Sequence, residues 1–268
     1  MVCTTYKKYG LSLCHIWFAT KEEILLKIHN REIKADLVFA HGVHEKGMCN
    51  RGKKVYALCL STQPSLIKTL DFDEDAIFQS YGKHLKAYIK RSQREGAIVR
   101  IFRNTEIDGE LLSLCGSFYE QMKEAKGIPD TFNRKLAECY AANDALVIAM
   151  AYVNEKPVGF NAYIADKTHF RTWLTAFAFR EEEFDAQVVS RAHQLLEWET
   201  MRWCCKNGIT SYDFGGLTSF ENPNGIDKFK MTFAKEGQRV CYDNYLVGVS
   251  LLGKLAVLGC KILKKIRK

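Results

Sequence analysis

Tyr212-Asp-Phe-Gly-Gly216, followed after eight residues by Gly225-Ile-Asp-Lys-Phe-Lys-Met-Thr-Phe233, is the stretch that decides the fold. The apolar run Leu195 to Cys205 ahead of it has helical spacing and closes at Asn207-Gly208, a helix-stop signal. Ile209 to Phe214 then reads as a buried strand halted by a glycine pair. Such a strand delivers the Asp213 carboxylate to a sheet edge, where the missing side chains of Gly215 and Gly216 let another backbone or a ligand come close. Downstream, Lys230 follows Phe229 and is flanked by aromatic residues.

Outward from this stretch, periodicity sets the neighbouring elements. Asp75 to Arg94 predicts one helix, with acids in its first turn and bases in its last, as the helix dipole favours. Ile98 to Phe102 predicts a strand, Asp108 to Lys126 and Asn133 to Ala142 two helices. Leu146 to Val153, Val158 to Ile164 and Phe170 to Ala178 predict three antiparallel strands, and Asp185 to Asn207 a long helix. Residues 1 to 60 alternate short apolar runs (Leu11 to Phe18, Ile24 to Ile28, Ala35 to Ala40, Val55 to Leu60) with polar breaks. They predict a strand-rich meander with a hairpin turned at Asn30-Arg31.

With 268 residues, 47% of them apolar, the chain is long enough for two modest domains or one large one with a packed core. Its ten cysteines show no Cys-x-x-Cys pair and no disulfide or zinc framework, which predicts reduced thiols in a cytoplasm. Lys7-Lys8 before Gly10 to Ala19 mimics a short signal sequence. His15 interrupts it and no small-x-small site follows, so a buried strand is expected there. The formal net charge is +8, and Lys254, Lys261, Lys264, Lys265, Arg267 and Lys268 meet no acid at the end of the chain.

The Tyr-Asp-Phe-Gly-Gly strand end, the variable loop and Gly225-Ile-x-x-Phe-Lys230 resemble the second half of the Fem-type peptidyltransferases and their relatives in the GNAT acyltransferase superfamily. Lys90-Arg-Ser-Gln-Arg-Glu-Gly96 resembles the basic segment before their second domain, Phe118 to Phe132 its first helix and turn, and Ala149 to Ile164 the following hairpin. About 150 residues, Lys90 to Asn244, fit; residues 1 to 89 fit weakly, and Phe233-Ala234 stands where the family commonly has Phe-Gly. The resemblance implies an α+β fold, a GNAT-like mixed sheet flanked by helices, with room for two GNAT-like domains of which the first is reduced. The expected division is 1–95, a reduced N-terminal domain; 96–244, the acyltransferase domain; and 245–268, a basic amphipathic helix.

The resemblance also implies acyl or aminoacyl transfer to an amine of a cell-envelope sugar or peptidoglycan precursor. Such catalysis holds a nucleophile against an activated carbonyl, removes a proton and stabilises an oxyanion. Asp213 and Lys230 are the expected catalytic pair. Two bland alternatives stay open: Asp213 capping its own loop, and Lys230 as a solvated lysine. Tyr212, Gly215, Gly216, Phe229 and Trp173 are expected to contact substrate, Trp173 having core packing as its alternative. Lys90, Arg91 and Arg94 are expected on an RNA or nucleotide-sugar phosphate, or else on a solvated helix end. Glu197, four residues from His193 and near Arg191 and Arg202, predicts a helical salt-bridge face, with a second base from this helix as the alternative.

The implied donor is acyl-CoA or aminoacyl-tRNA. Phe179-Arg-Glu-Glu-Glu-Phe184 stands where CoA-dependent members carry a glycine-rich pyrophosphate loop, and its three acids oppose that use. The long coiled-coil arm common in Fem-type enzymes has no counterpart heptad run here. His41-Gly-Val-His44 with Cys49 lacks a fourth ligand at a usual spacing, and no metal is expected. Leu246 to Lys268 predicts a basic amphipathic helix, suited to an anionic membrane surface or to packing on the first domain. The expected partners are a sugar-nucleotide or lipid-linked envelope precursor, a tRNA and that membrane surface. The expected location is cytoplasmic, peripheral on the inner face of the cytoplasmic membrane. A catalytically inactive GNAT-like module that binds a glycan precursor or an envelope-biosynthesis partner is the competing reading.

Overall fold

The computed structural model describes residues 1–44, 55–70, 73–178 and 184–266. Among these the fold is α+β, with parallel and antiparallel strand pairs mixed and helices flanking the strands. In chain order the elements are β1 (Val2–Lys8), β2 (Leu11–Trp17), α1 (Lys21–His29), β3 (Leu37–Val43), β4 (Tyr56–Thr69), α2 (Glu74–Ser80), α3 (Lys83–Arg94), β5 (Ala97–Arg103), α4 (Gly109–Glu124) and α5 (Arg134–Ala142). They continue with β6 (Leu146–Val153), β7 (Lys156–Ala165), β8 (His169–Phe177), α6 (Ala186–Lys206), β9 (Ser211–Gly216), α7 (Gly225–Phe233), β10 (Gln238–Gly248) and α8 (Leu251–Ile266). The chain forms two compact units, Met1–Ser65 with Gly216–Pro223 and Arg239–Lys268, and Leu66–Gly215 with Asn224–Gln238.

In the first unit β1 pairs antiparallel with β2, β2 parallel with β3, and β3 antiparallel with β10. Ile16, Val38, Ala40 and Val247 meet Ile24 of α1 in its core. Ile24 to Ile28 is therefore helix, where the apolar run had predicted a strand. The physical reason is a capping box: Thr20 Oγ1 accepts the Glu23 N–H at 3.2 Å while the Glu23 carboxylate accepts the Thr20 N–H at 2.7 Å. Asn30 then caps the C-terminus of α1 in place of the expected hairpin turn. Leu246 to Gly248, expected to open the terminal helix, instead pair with β3, and α8 begins at Leu251. A side chain at Gly253 would collide with the Asp36 carbonyl oxygen, so the absent Cβ is what lets α8 dock there.

In the second unit the strands lie in the order β9-β8-β7-β6-β5. β5 through β8 form antiparallel neighbours, and β8 and β9 pair in parallel. The single helix expected over Asp75 to Arg94 is two, α2 and α3, broken at Tyr81-Gly82. Tyr81 leaves the helical conformation so that its ring meets Trp198 edge-on at 5.7 Å and Phe233 at 5.4 Å, and Gly82 caps α3.

Two local features shape the junction of β8 and β9 in this sheet. Tyr163 opposes Thr172 and Ala162 opposes Leu174, so Trp173 is the extra residue of a bulge. The bulge resets the alternation and brings Thr172 and Thr175 to the same face. The β8–β9 pairing ends at Arg171 and Asp213. Gly215 follows with φ +73°, and a Cβ there would lie 2.7 Å from the Thr172 carbonyl oxygen. Both the left-handed backbone and the close approach require glycine.

Candidate active site

Along β8 beyond the end of this pairing the second unit holds a cavity of about 810 Å³. Thr172 and Phe177 of β8, Phe118 and Met122 of α4, and His193 and Glu197 of α6 line it, together with Phe229 and Lys230 of α7. Its walls are mainly apolar, so the few polar groups that reach it set its chemistry.

Glu197 is the carboxyl group among them. It is 4% exposed, and its Oε2 accepts the Tyr212 hydroxyl at 2.6 Å while Oε1 accepts the Asn161 amide at 2.9 Å. The Asn161 amide also donates to the Tyr163 hydroxyl at 2.9 Å, which fixes the amide between the two oxygens. Burial raises the Glu197 carboxyl to about 7, against the lowering effects of Tyr212, the Lys230 charge and Asn161. A carboxyl that titrates near neutrality inside a cavity is suited to taking up and releasing a proton.

His193 is held between two rings, Phe177 at 4.0 Å and Phe229 at 4.2 Å between centroids. Burial, and then the Lys230 charge, pull its imidazole down to about 3, so it is neutral at pH 7. Its Nε2 stands 3.8 Å from Glu197 Oε1, beyond hydrogen-bonding reach, and the expected salt bridge does not form. Nor do the two arginines supply it. Arg191 is clasped by Glu95 at 2.7 and 2.8 Å, and Arg202 by Glu74 and Glu199. At about 100° per residue, six and five residues from Glu197 put both on other faces of α6. The salt-bridge face read from sequence is thus corrected to three separate environments along one helix.

Lys230 and Phe229 lie where the cavity meets α7, a helix started by an Asn224–Asp227 capping box. Burial lowers the Lys230 ammonium below its ordinary value, opposed by the carboxylates of Glu197, Asp213 and Asp227. Asp213 is not among the residues lining the cavity. It is 4% exposed, its Oδ2 accepts Arg171 Nη1 at 2.8 Å, and its Oδ1 accepts the Gly215 N–H at 2.8 Å. Tyr212 is fully buried behind Glu197. Trp173, turned aside by the bulge, packs edge-on against Tyr140 at 5.2 Å. Lys90, Arg91 and Arg94 lie exposed along α3, with Lys90 5.9 Å from the Phe78 ring and Arg91 2.8 Å from Glu95. Of the residues picked out from sequence, the structure brings Lys230 and Phe229 to the cavity, together with Glu197 and His193, where the second-base alternative had pointed.

Thr172 and Phe177 carry no signal in the sequence because apolar strands do not mark which residue faces a cavity, and Asn161 acts from behind, through Glu197. Asn161, a lone amide in the run Val158 to Ile164, was the available signal, since a buried amide must be paired. In the first unit His41 Nε2 meets His15 Nδ1 at 2.9 Å. Cys49, and Phe179 to Glu183 ahead of α6, lie outside the described residues.

The sequence matches the model of the acetyltransferase (GNAT) domain over residues 79–231, more than half of the chain, and the protein belongs to that family. No protein of curated function matches it by sequence. Among solved structures, FemX is similar with a TM-score of 0.58 at 13% identity, over 91% of this chain and 83% of that one. The C-terminal domain of a putative lysylphosphatidylglycerol synthetase from Agrobacterium fabrum has a TM-score of 0.57 at 11% identity, over 97% and 85%. L-PGS from Bacillus licheniformis has 0.52 at 13%, over 96% and 84%. At these identities the likeness is one of fold, and it agrees with the Fem-like resemblance of the Tyr212 and Gly225 segments.

Proposed function

We propose that the protein is an N-acyltransferase that moves an activated acyl group onto an amine of a cell-envelope sugar or peptidoglycan precursor. The observation that carries this reading is Glu197, a buried carboxyl raised to about 7 and hydrogen-bonded by Tyr212 and Asn161 on the wall of a cavity in a GNAT fold. The amine nitrogen attacks the acyl carbonyl, a C–N bond forms, and the bond from that carbon to the donor's leaving atom breaks. The proton shed by the amine passes to the Glu197 carboxylate. The Lys230 ammonium faces the negative charge that develops on the carbonyl oxygen. Asp213, tied to Arg171 and to the Gly215 N–H, holds the end of β9 and adds a carboxylate near Lys230.

The donor is acyl-CoA or an aminoacyl-tRNA. At the N-terminus of α6, where a pyrophosphate would seek backbone N–H groups, the Asp185 carboxylate already accepts those of Gln187 and Val188 at 2.6 and 3.4 Å. A CoA donor would therefore meet a negative charge at that point. Exposed Lys90 and Arg94 suit the phosphates of an RNA or sugar nucleotide. On this reading the second unit, which holds the cavity, carries transfer, the first unit is a reduced companion, and the enzyme works on the cytoplasmic face of the membrane. An envelope acceptor is supported by the fold shared with the C-terminal domain of a putative lysylphosphatidylglycerol synthetase.

The test is intact mass spectrometry of amino-sugar, sugar-nucleotide and lipid-linked acceptors after incubation with acyl-CoA or charged tRNA. An acceptor that gains the mass of an acyl group with wild-type protein, and not with Glu197→Gln, is the expected result. Binding of an acceptor with no transfer from any donor would favour a binding module.

A further inference from the structure

α8 carries an outward apolar face. Leu251, Leu255, Leu258, Ile262 and Ile266 are each between 41% and 74% exposed, and at about 100° per residue they fall within an arc of roughly 80°. Leu252 and Leu263, at 60% and 57%, widen the stripe on one side. Lys254, Lys261 and Lys265 line the other. The opposite face docks on the first unit: Gly253 and Val257 are buried, and Lys264 Nζ donates to the carbonyl oxygens of Cys59 and Leu60 at 2.8 and 3.4 Å. An ordinary surface helix buries its apolar face and turns its polar face outward. Among the described residues the attachment is made by Gly253, Val257, the Lys264 hydrogen bonds and Lys254, whose ammonium stands 5.7 Å from the Tyr56 ring, and the leucines point away.

We propose that α8 is a docking surface for an anionic lipid bilayer, lying in the headgroup region with its leucines and isoleucines in the acyl boundary and its lysine row on the lipid charges. Charge complementarity selects this occupant. The chain has no acid after Asp243, and among the described residues no carboxylate forms an ion pair with Lys254, Lys261 or Lys265. A second copy docked face to face would bring another acid-free lysine row to the same contact. No described helix is long and apolar enough to cross a membrane, so α8 lies on the surface as interfacial helices do. This inference gives a surface to the membrane-face location proposed above, but it rests on α8 alone; a protein that transfers no acyl group would leave it standing.

The test is co-sedimentation of the full chain with vesicles of phosphatidylcholine, with and without phosphatidylglycerol, at low and high salt. Wild-type protein should partition preferentially onto anionic vesicles, more weakly as salt rises but not to zero, because the apolar part is insensitive to salt. Lys254, Lys261 and Lys265 together changed to Gln should lose about a hundredfold of the anionic preference, at roughly fivefold per lysine. Leu255→Glu with Ile262→Glu, both at exposed positions, should abolish binding while thermal unfolding is unchanged. Equal partitioning onto neutral and anionic vesicles, or onto neither, would overturn the proposal. So would a dimer in sedimentation velocity that the Leu255→Glu, Ile262→Glu protein no longer forms.

Discussion

Replacing Glu197 by Gln should stabilise the protein at alkaline pH and leave its stability near pH 4.5 almost unchanged. The folded carboxyl titrates at about 7, against an ordinary value of 4.5. Between those values the folded state binds a proton that the unfolded state has released, so stability is full below about 4.5 and falls as pH rises through 7. A difference of 2.5 units at about 1.4 kcal/mol each makes the cost at pH 8 about 3 kcal/mol. The side chain is only 5% exposed, so solvent screening removes little of it. Gln removes the charge and keeps an oxygen and an amide for Tyr212 and Asn161. Urea denaturation of both proteins at pH 4.5 and 8 reads the difference directly. A variant that is no more stable than wild type at pH 8, or more stable by the same amount at both pH values, would refute the account of this carboxyl.

Three further substitutions separate the roles of its neighbours. Tyr212→Phe removes a hydrogen bond to a charged group, of order 1.5–3 kcal/mol, and should raise the acidic limb of the pH–rate profile by about one to two units; an unmoved limb would detach Tyr212 from the titrating group. Lys230→Ala should lower kcat about ten- to a thousandfold with the melting temperature preserved, and wild-type turnover would remove it from oxyanion stabilisation. Asp213→Asn leaves the buried Arg171 without its carboxylate and should cost about 3–5 kcal/mol of stability, while the protein that remains folded keeps turnover close to wild type. A stable Asp213→Asn protein that has lost turnover would return the base role to Asp213.

The second unit was legible because its elements are long, periodic and punctuated: the three antiparallel strands, the Asp185 to Asn207 helix and the Tyr212 strand all carry their own signals. The first unit was less so. Ile24 to Ile28 is too short for periodicity to separate helix from strand, yet Thr20-x-x-Glu23 held the capping signal that decides it. The break at Gly82 and the pairing of Leu246 to Gly248 with β3 depend on partners distant in sequence, which local pattern does not report. At the site, Lys230 and Phe229 could be found because their motif is local. Glu197 could not be ranked above Asp213, because its significance lies in burial and in two partners, Asn161 and Tyr212, brought in by β7 and β9. Its neighbouring arginines suggested ion pairs, and their angular positions on α6 and their own carboxylate partners exclude them.

Acyl transfer to an amine with Glu197 as the proton acceptor is tested most directly by kcat/KM from pH 5.5 to 9 for wild type and Glu197→Gln on an acceptor that is acylated. Titration of the acceptor amine is common to both proteins and cancels in their ratio. Wild type should exceed the variant by about a hundred- to ten-thousandfold above pH 7, and this ratio should fall about tenfold per unit below it. A ratio near one, or a large ratio that does not change with pH, would contradict that role for Glu197.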